Sequence, residues 1–122
     1  MTERVRALRG ASTSPNDAAE ITAATRELLA EMLERNGASH EDLVSIVFTA
    51  TPDLDAEFPA VAARDLGISD VPLLCAVEIG VTGSLPNCVR VLMHLYTERT
   101  PDRLEHVYLR SAEVLRSDLG RS

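Results

Sequence analysis

Hydrophobic and polar positions alternate at the start of the chain. Residues 4–12 follow the two-residue period of a β-strand, with Val5, Ala7 and Arg9 on one face. Arg4, Arg6 and Leu8 would then share the other face. Gly10 interrupts this pattern, and we expect it to mark a bend or the end of the strand.

The next segment has the period of an amphipathic helix. Over residues 17–35, apolar side chains recur every three or four positions and form one broad stripe. Ser14 is expected to cap this helix, with Pro15 at its first position, since serine and proline are favoured there. Asn36 and Gly37 are expected to end it.

The remaining elements are predominantly strands. Leu43–Ala50 is apolar and β-branched, as in a buried strand, and Pro72–Ile79 is predicted to be the next strand. Asn87–Thr97 fits a helix or a strand, and its alternation favours the strand. A last strand and a tail are expected over residues 106–116. Residues 57–67 are predicted to form a connection with a turn or two of helix.

This order predicts an α+β fold, a mixed five-stranded sheet packed on one long helix. One helix covers only one face of such a sheet. In Asn87–Thr97 one face is wholly apolar, and the other is half polar, with Cys88, Arg90, Leu92, His94 and Tyr96. We therefore hypothesise that oligomerisation buries the second face.

Length and composition narrow the possible functions. The 122 residues predict a single domain, residues 1–122. All 12 basic residues are arginine, which excludes lysine Schiff-base chemistry and the phosphate-binding P-loop. The net charge of −7 argues against nucleic acid and anionic membranes as partners. No leader or membrane-spanning run is recognised, so we expect a cytoplasmic protein.

Cysteine and histidine are few and dispersed. The two cysteines, Cys75 and Cys88, do not suggest a disulfide framework. The three histidines lack metal-ligand spacing, and no metal site is predicted.

Arg90 is the most suggestive candidate for function. It lies between Val89 and Val91, where a charge requires a partner or an anionic ligand. A structural salt bridge, for instance to Glu78, explains it equally well. The other candidates have ordinary explanations when taken singly: Arg9 as a surface ion-pair residue, Glu78 as an exposed strand end, Cys75 as a buried thiol and Tyr108 as a packing residue.

Several long segments together resemble one family. RGA near the start, TATPDLDAEFPA, VPLLCAVEIGVTGSLPNCVRVLMH and HVYLRSAEVLRSDL occur in this order, from about Arg6 to Leu119. They resemble the AroH class of monofunctional chorismate mutases. The resemblance implies a homotrimeric pseudo-barrel with active sites between subunits. It also implies a cofactor-free rearrangement of chorismate to prephenate in phenylalanine and tyrosine biosynthesis.

The resemblance also assigns roles to individual residues. Arg9 would bind a substrate carboxylate, with Tyr108 contributing to such a contact. Cys75 and Glu78 would contact the region of the ring hydroxyl. Arg90 would donate to the ether oxygen as it gains negative charge.

Further residues would complete the pocket. Phe58 would line it from the neighbouring subunit with Arg64 nearby, while Leu115 and Arg116 match a C-terminal segment that helps to close it. Val61 replaces a lysine found at the pocket mouth in one branch of the family, which puts one carboxylate contact in question. Leu74 replaces a frequent threonine, and the C-terminal tail is short.

Two other functions stay open at this stage. An imine or enamine deaminase of the RidA type would also hold a carboxylate with an arginine at a subunit interface, although the CAVE and CVRV segments argue against it. A trimer that binds a small carboxylate without turnover is the second. Ammonia release would indicate the deaminase, and tight binding without turnover would indicate the binding module.

Overall fold

A mixed five-stranded sheet with one long helix on one face forms the core of the computed structural model. The structure describes residues 2–121, with side chains as far as Arg116. The main elements, in chain order, are β1 (Arg4–Thr13), α1 (Ala18–Arg35), β2 (Leu43–Ala50), α2 (Val61–Asp65), β3 (Leu73–Val77), β4 (Cys88–Thr97) and β5 (Val107–Tyr108). Two 3-10 segments of three residues cover His40–Asp42 and Pro101–Arg103, and a longer one of 12 residues covers Arg110–Arg121.

The sheet has the strand order β3-β2-β4-β1-β5. Strand β4 lies at its centre and runs antiparallel to both β1 and β2. The edge strands β3 and β5 run parallel to their neighbours β2 and β1. The predicted α+β fold with a mixed sheet is confirmed, and the ambiguous segment Asn87–Thr97 contains strand β4.

Gly10 does not end the first strand, so the prediction of a strand end at this residue was wrong. Strand β1 continues to Thr13, with Gly10 buried under helix α1. A Cβ atom at Gly10 would lie 2.5 Å from Sδ of Met32 and 3.2 Å from Cδ1 of Leu28. The close approach of helix α1 therefore disfavours any side chain at this position, and no turn is involved.

Helix α1 begins later than the predicted cap at Ser14. Asp17 is the N-cap residue, and its carboxylate accepts a hydrogen bond from the Glu20 N–H at 3.0 Å. Ser14 is buried, and its N–H donates to the Asn87 carbonyl at 3.0 Å. At the C-terminal end Gly37 takes a positive φ of 60°, as expected for a helix stop.

The space between α1 and the sheet holds the main core. Its largest members are aliphatic, apart from Phe48, and most are fully buried. The core-facing side chains of β4 are Val89, Val91, Met93 and Leu95. This wholly apolar face matches the one predicted from the alternation.

Two strands are shorter than predicted. Strand β3 ends at Val77, two residues before Ile79, and β5 contains only Val107 and Tyr108. Most of the predicted strand over residues 106–116 is 3-10 helix instead. A turn or so of helix was expected in residues 57–67, where α2 is found.

The face of the sheet opposite α1, here called the outer face, keeps apolar side chains exposed. Leu74 is 62% exposed, Tyr96 47% and Leu92 38%. Within the described residues no element of the chain packs over these side chains. In residues 2–121, no helix combines the length and apolar character needed to cross a membrane.

Candidate active site

A cavity of about 250 Å³ lies on the outer face of the sheet. Four of its polar side chains come from four different strands: Arg9 from β1, Thr49 from β2, Arg90 from β4 and Tyr108 from β5. Sheet register brings them together, because Thr49 pairs with Arg90 and Tyr108 pairs with Ala11. Alternate residues of each strand face this cavity, while their neighbours enter the core.

Arg90 forms an ion pair with Glu78 at the edge of this cavity. Its Nε atom lies 3.1 Å from Oε2 of Glu78, although the Nε–H is not aligned for a hydrogen bond. The Thr49 hydroxyl donates to the same Oε2 at 3.0 Å. Glu78 follows the end of β3, where its N–H donates to the Ala50 carbonyl at 2.9 Å. The predicted Arg90–Glu78 pair is therefore present.

Arg9 supplies a second guanidinium to the cavity. Its Nη1 atom is buried and has no hydrogen-bond partner among the described residues. A buried donor of this kind is unfavourable unless something accepts its hydrogen bond. An anionic ligand in the cavity would satisfy it.

His106 holds the backbone at Arg9. The Arg9 N–H donates to Nδ1 of His106 at 2.9 Å, so this ring nitrogen must be unprotonated. Burial, together with the charge of Arg9, lowers the pKa of His106. The Asn36 side chain fixes the preceding residue, since its amide donates to the Glu105 carbonyl and accepts from the Glu105 N–H.

A small apolar cluster supports one side of the site. Tyr108, Ala11, Cys88 and Ala112 are buried together, and Leu115 packs against them. Burial raises the pKa of the Cys88 thiol to about 11, with Arg90 opposing the shift. Cys88 is therefore a neutral packing group at physiological pH.

Two predicted site residues line a different pocket. Phe58 and Cys75 border a second cavity of about 310 Å³. Phe58 is 69% exposed, and Cys75 packs partly against the main core. A single chain therefore does not bring Phe58 or Cys75 together with the Arg9 and Arg90 cavity.

The remaining predicted residues lie away from the cavity centre. Arg64 is exposed on the short helix α2. Arg116 is exposed and lies 3.9 Å from Glu113, a weak surface ion pair. Leu115 is the member of this group nearest the cavity, through its contact with the Tyr108 cluster.

Thr49 and His106 were not singled out as site residues from the sequence. Thr49 lies near the end of strand β2, where the partly polar stretch of residues 49–54 begins, and that stretch was an available signal. His106 had none, because its bond to Arg9 spans 97 residues of sequence. A contact between residues so far apart in sequence depends on how the strands are arranged in the sheet.

The chemistry of the cavity is that of an anion-binding pocket. Two guanidinium groups, one carboxylate and the Thr49 and Tyr108 hydroxyls border a small volume. Arginine offers paired donors in a plane, which match a carboxylate. In the part of the chain that the structure describes, no three His, Cys, Asp or Glu side chains are grouped to hold a metal ion.

Comparison with known proteins gives one consistent result. Residues 5–119 match the family model for chorismate mutase type I. The chain is 53% identical over 117 residues to the chorismate mutase AroH of Thermus thermophilus, covering 94% of this chain and 96% of the relative. It is 44% identical over 118 residues to the AroH enzyme of Bacillus subtilis, covering 95% and 93% respectively.

A solved structure agrees with the sequence relatives. Chorismate mutase from Clostridium thermocellum superimposes with a TM-score of 0.89 and 50% sequence identity. The match covers 90% of this chain and 99% of that one.

Proposed function

The chain belongs to the chorismate mutase type I family and converts chorismate to prephenate in aromatic amino acid synthesis, and from this premise we propose how its cavity acts. Membership of this family argues against the deaminase and the pure binding module considered from the sequence. The proposal concerns the roles of individual residues and the assembly that completes the pocket.

The reaction sets modest chemical demands. Chorismate carries two carboxylates, and its enolpyruvyl ether must fold over the ring before the C–O bond breaks and a C–C bond forms. The rearrangement is intramolecular, so no group is transferred to the protein. The protein must hold the compact conformer and stabilise the charge that develops on the ether oxygen.

Arg90 is the group we assign to the ether oxygen. Its guanidinium lies at the cavity wall and is held on its Nε side by Glu78. A fixed cation there interacts more strongly with the transition state than with the ground state, since negative charge grows on the oxygen as the bond breaks. Such differential binding accelerates the chemical step.

Arg9, Tyr108 and Glu78 would position the substrate. The unpartnered Nη1 of Arg9 suits a carboxylate, with the Tyr108 hydroxyl contributing. Glu78 would accept the ring hydroxyl. The observation that carries the proposal is the convergence of Arg9, Arg90 and Glu78 on one cavity in a chain with a net charge of −7.

The second pocket supports a subunit-interface site. We propose a homotrimer in which Phe58 and Cys75 of one subunit complete the cavity of its neighbour, with Arg64 at the mouth. The exposed apolar side chains of the outer face support such an interface. Leu115 and Arg116 would help to close the site. A cytoplasmic location is also proposed, because Cys75 and Cys88 are both free thiols.

Chorismate consumption by Arg90→Ala tests the mechanism. Loss of one preorganised donor lowers kcat by roughly 100- to 1000-fold, and loss of a charged donor by at least that much. Arg26→Ala is the matched control, since Arg26 is a half-exposed arginine of α1, 3.9 Å from Asp65. Size-exclusion chromatography of both variants checks assembly. An Arg90→Ala enzyme that turns over like the control would refute the role of Arg90.

A further inference from the structure

The Thr49 hydroxyl contacts the acidic partner of Arg90 from inside the cavity. We infer that Thr49 is a positioning residue, which fixes the Glu78 carboxylate so that Glu78 in turn orients Arg90. This inference rests on the proposed roles of Glu78 and Arg90. It adds a residue that touches neither reacting bond.

The geometry is a chain of two contacts through one oxygen atom. Thr49 Oγ1 donates to Oε2 of Glu78 at 3.0 Å, and Arg90 Nε lies 3.1 Å from that same oxygen. Oε1 of Glu78 makes no hydrogen bond within the described residues. It therefore remains available to accept the ring hydroxyl of the substrate.

Sheet register puts Thr49 where it can do this. On one side Thr49 pairs with Arg90 of β4, and on the other it pairs with Ala76 of β3, two residues before Glu78. Threonine is branched at Cβ and has few χ1 rotamers, so its hydroxyl direction is well defined in a strand. A stiff donor thus lies between the acid and the arginine.

Glu78 needs such a restraint because few backbone contacts hold it in position. It lies one residue beyond β3, next to the exposed residues 79–84, and one backbone hydrogen bond to Ala50 anchors it. A long, flexible glutamate side chain loses considerable rotamer entropy when it is fixed. The Thr49 bond restricts that freedom before the substrate arrives.

The expected kinetic signature is a fall in kcat with KM nearly unchanged. Arg9 and Tyr108 still bind the carboxylate when Thr49 is altered. A loosely held Glu78 leaves Arg90 poorly aligned with the ether oxygen, which affects the transition state more than the ground state. A role in packing alone would lower stability and leave kcat of the folded enzyme intact.

Thr49→Val is the test variant, because it keeps the shape of the side chain and removes the hydroxyl. We expect kcat to fall roughly 10- to 100-fold, the range for a lost hydrogen bond to a charged group, with KM within about threefold. Thr49→Ser should restore most of the rate. Thr97→Val is the matched control, since its hydroxyl only accepts from the Arg99 N–H at the far end of β4.

A double-mutant cycle with Glu78→Ala decides whether Thr49 acts through Glu78. The inference expects Thr49→Val to add no further loss of kcat in the Glu78→Ala background. Additive losses, full activity of Thr49→Val, or a Thr49→Ser enzyme as slow as Thr49→Val would each overturn it.

Arg90→Ala in the same assays separates this inference from the mechanism beneath it. If kcat falls in Arg90→Ala but not in Thr49→Val, only the role of Thr49 is refuted and the role of Arg90 stands. If both variants keep the kcat of the wild-type enzyme, the roles assigned to Arg90 and to Thr49 are both refuted.

Discussion

The two faces of the sheet use the same strands for opposite purposes. The face under α1 is largely apolar and buried. The outer face holds two guanidiniums, a carboxylate and hydroxyls around a cavity, among apolar side chains that remain exposed. Partly buried charges on the outer face cost free energy of folding, and apolar packing between α1 and the sheet offsets that cost.

Neighbouring residues show how sharp this division is. Phe48 is fully buried in the core, whereas the next residue, Thr49, faces the cavity. Val91 and Arg90 divide in the same way on β4. Mutations one position apart should therefore affect stability or catalysis separately, and the following predictions test this.

Phe48→Ala should give the largest effect on stability. Removal of a buried phenylalanine costs about 3–5 kcal/mol, through lost burial and the cavity left behind. Urea denaturation at one matched protein concentration measures this loss. Thr49→Val is the reciprocal control, with little loss of stability and a lower kcat. A Phe48→Ala enzyme that is stable but slow would break the division.

Gly10→Ala and Arg9→Ala form a second adjacent pair with a smaller effect. The Cβ atom of alanine at Gly10 would displace the Met32 side chain and press closely on Leu28, so we expect a loss of about 1–3 kcal/mol in the free energy of unfolding. Arg9→Ala should leave that free energy nearly unchanged and weaken substrate binding, with KM raised roughly 10- to 100-fold.

Denaturation curves and steady-state kinetics on both variants check the pair. A large KM change in Gly10→Ala at full stability would show that the helix contact shapes the cavity directly. An unstable Arg9→Ala protein would show that Arg9 contributes to the stability of the fold and not only to substrate binding.

His106 gives the smallest predicted effect, on the pH dependence of stability. Its pKa is lowered in the folded state, so the unfolded chain binds this proton first as the pH falls. The stabilisation is complete above the ordinary histidine pKa of about 6.5 and is lost as the pH falls from there through the lowered value.

Urea denaturation at a series of pH values, with His106→Asn as control, measures this contribution. Asparagine can still accept from the Arg9 N–H and does not titrate in this range. The wild-type protein should lose more stability than His106→Asn between pH 7.5 and the lowered pKa. Parallel pH profiles would contradict the prediction.

Local patterns were enough to predict most of the fold. Strand β2 was predicted with its observed limits, Leu43–Ala50, and β4 within one residue, because alternation and β-branching report burial directly. The role of Gly10 was missed, since nothing in the local sequence reveals the approach of Met32. The cap was misplaced at Ser14 because Asp17 offers an equally good capping side chain nearer the helix.

The predictions for the site came from two sources, the family resemblance and one local sequence pattern. The Arg90–Glu78 pair could be anticipated from a charge set among valines. The family resemblance implied that Cys75 and Glu78 act together, yet in a single chain Cys75 lines the second pocket. Thr49 and His106 depend on strand register and on a contact between chain ends, which short-range patterns do not encode.

The position of β1 between β4 and β5 also bears on the order of folding. The first strand finds both of its neighbours only after about a hundred further residues have been synthesised. β1 has two unpaired edges until β4 emerges and one until β5 emerges. Unpaired edges favour aggregation, and contacts of such long range slow folding. A nascent chain of this protein therefore cannot complete its sheet until its last strand emerges.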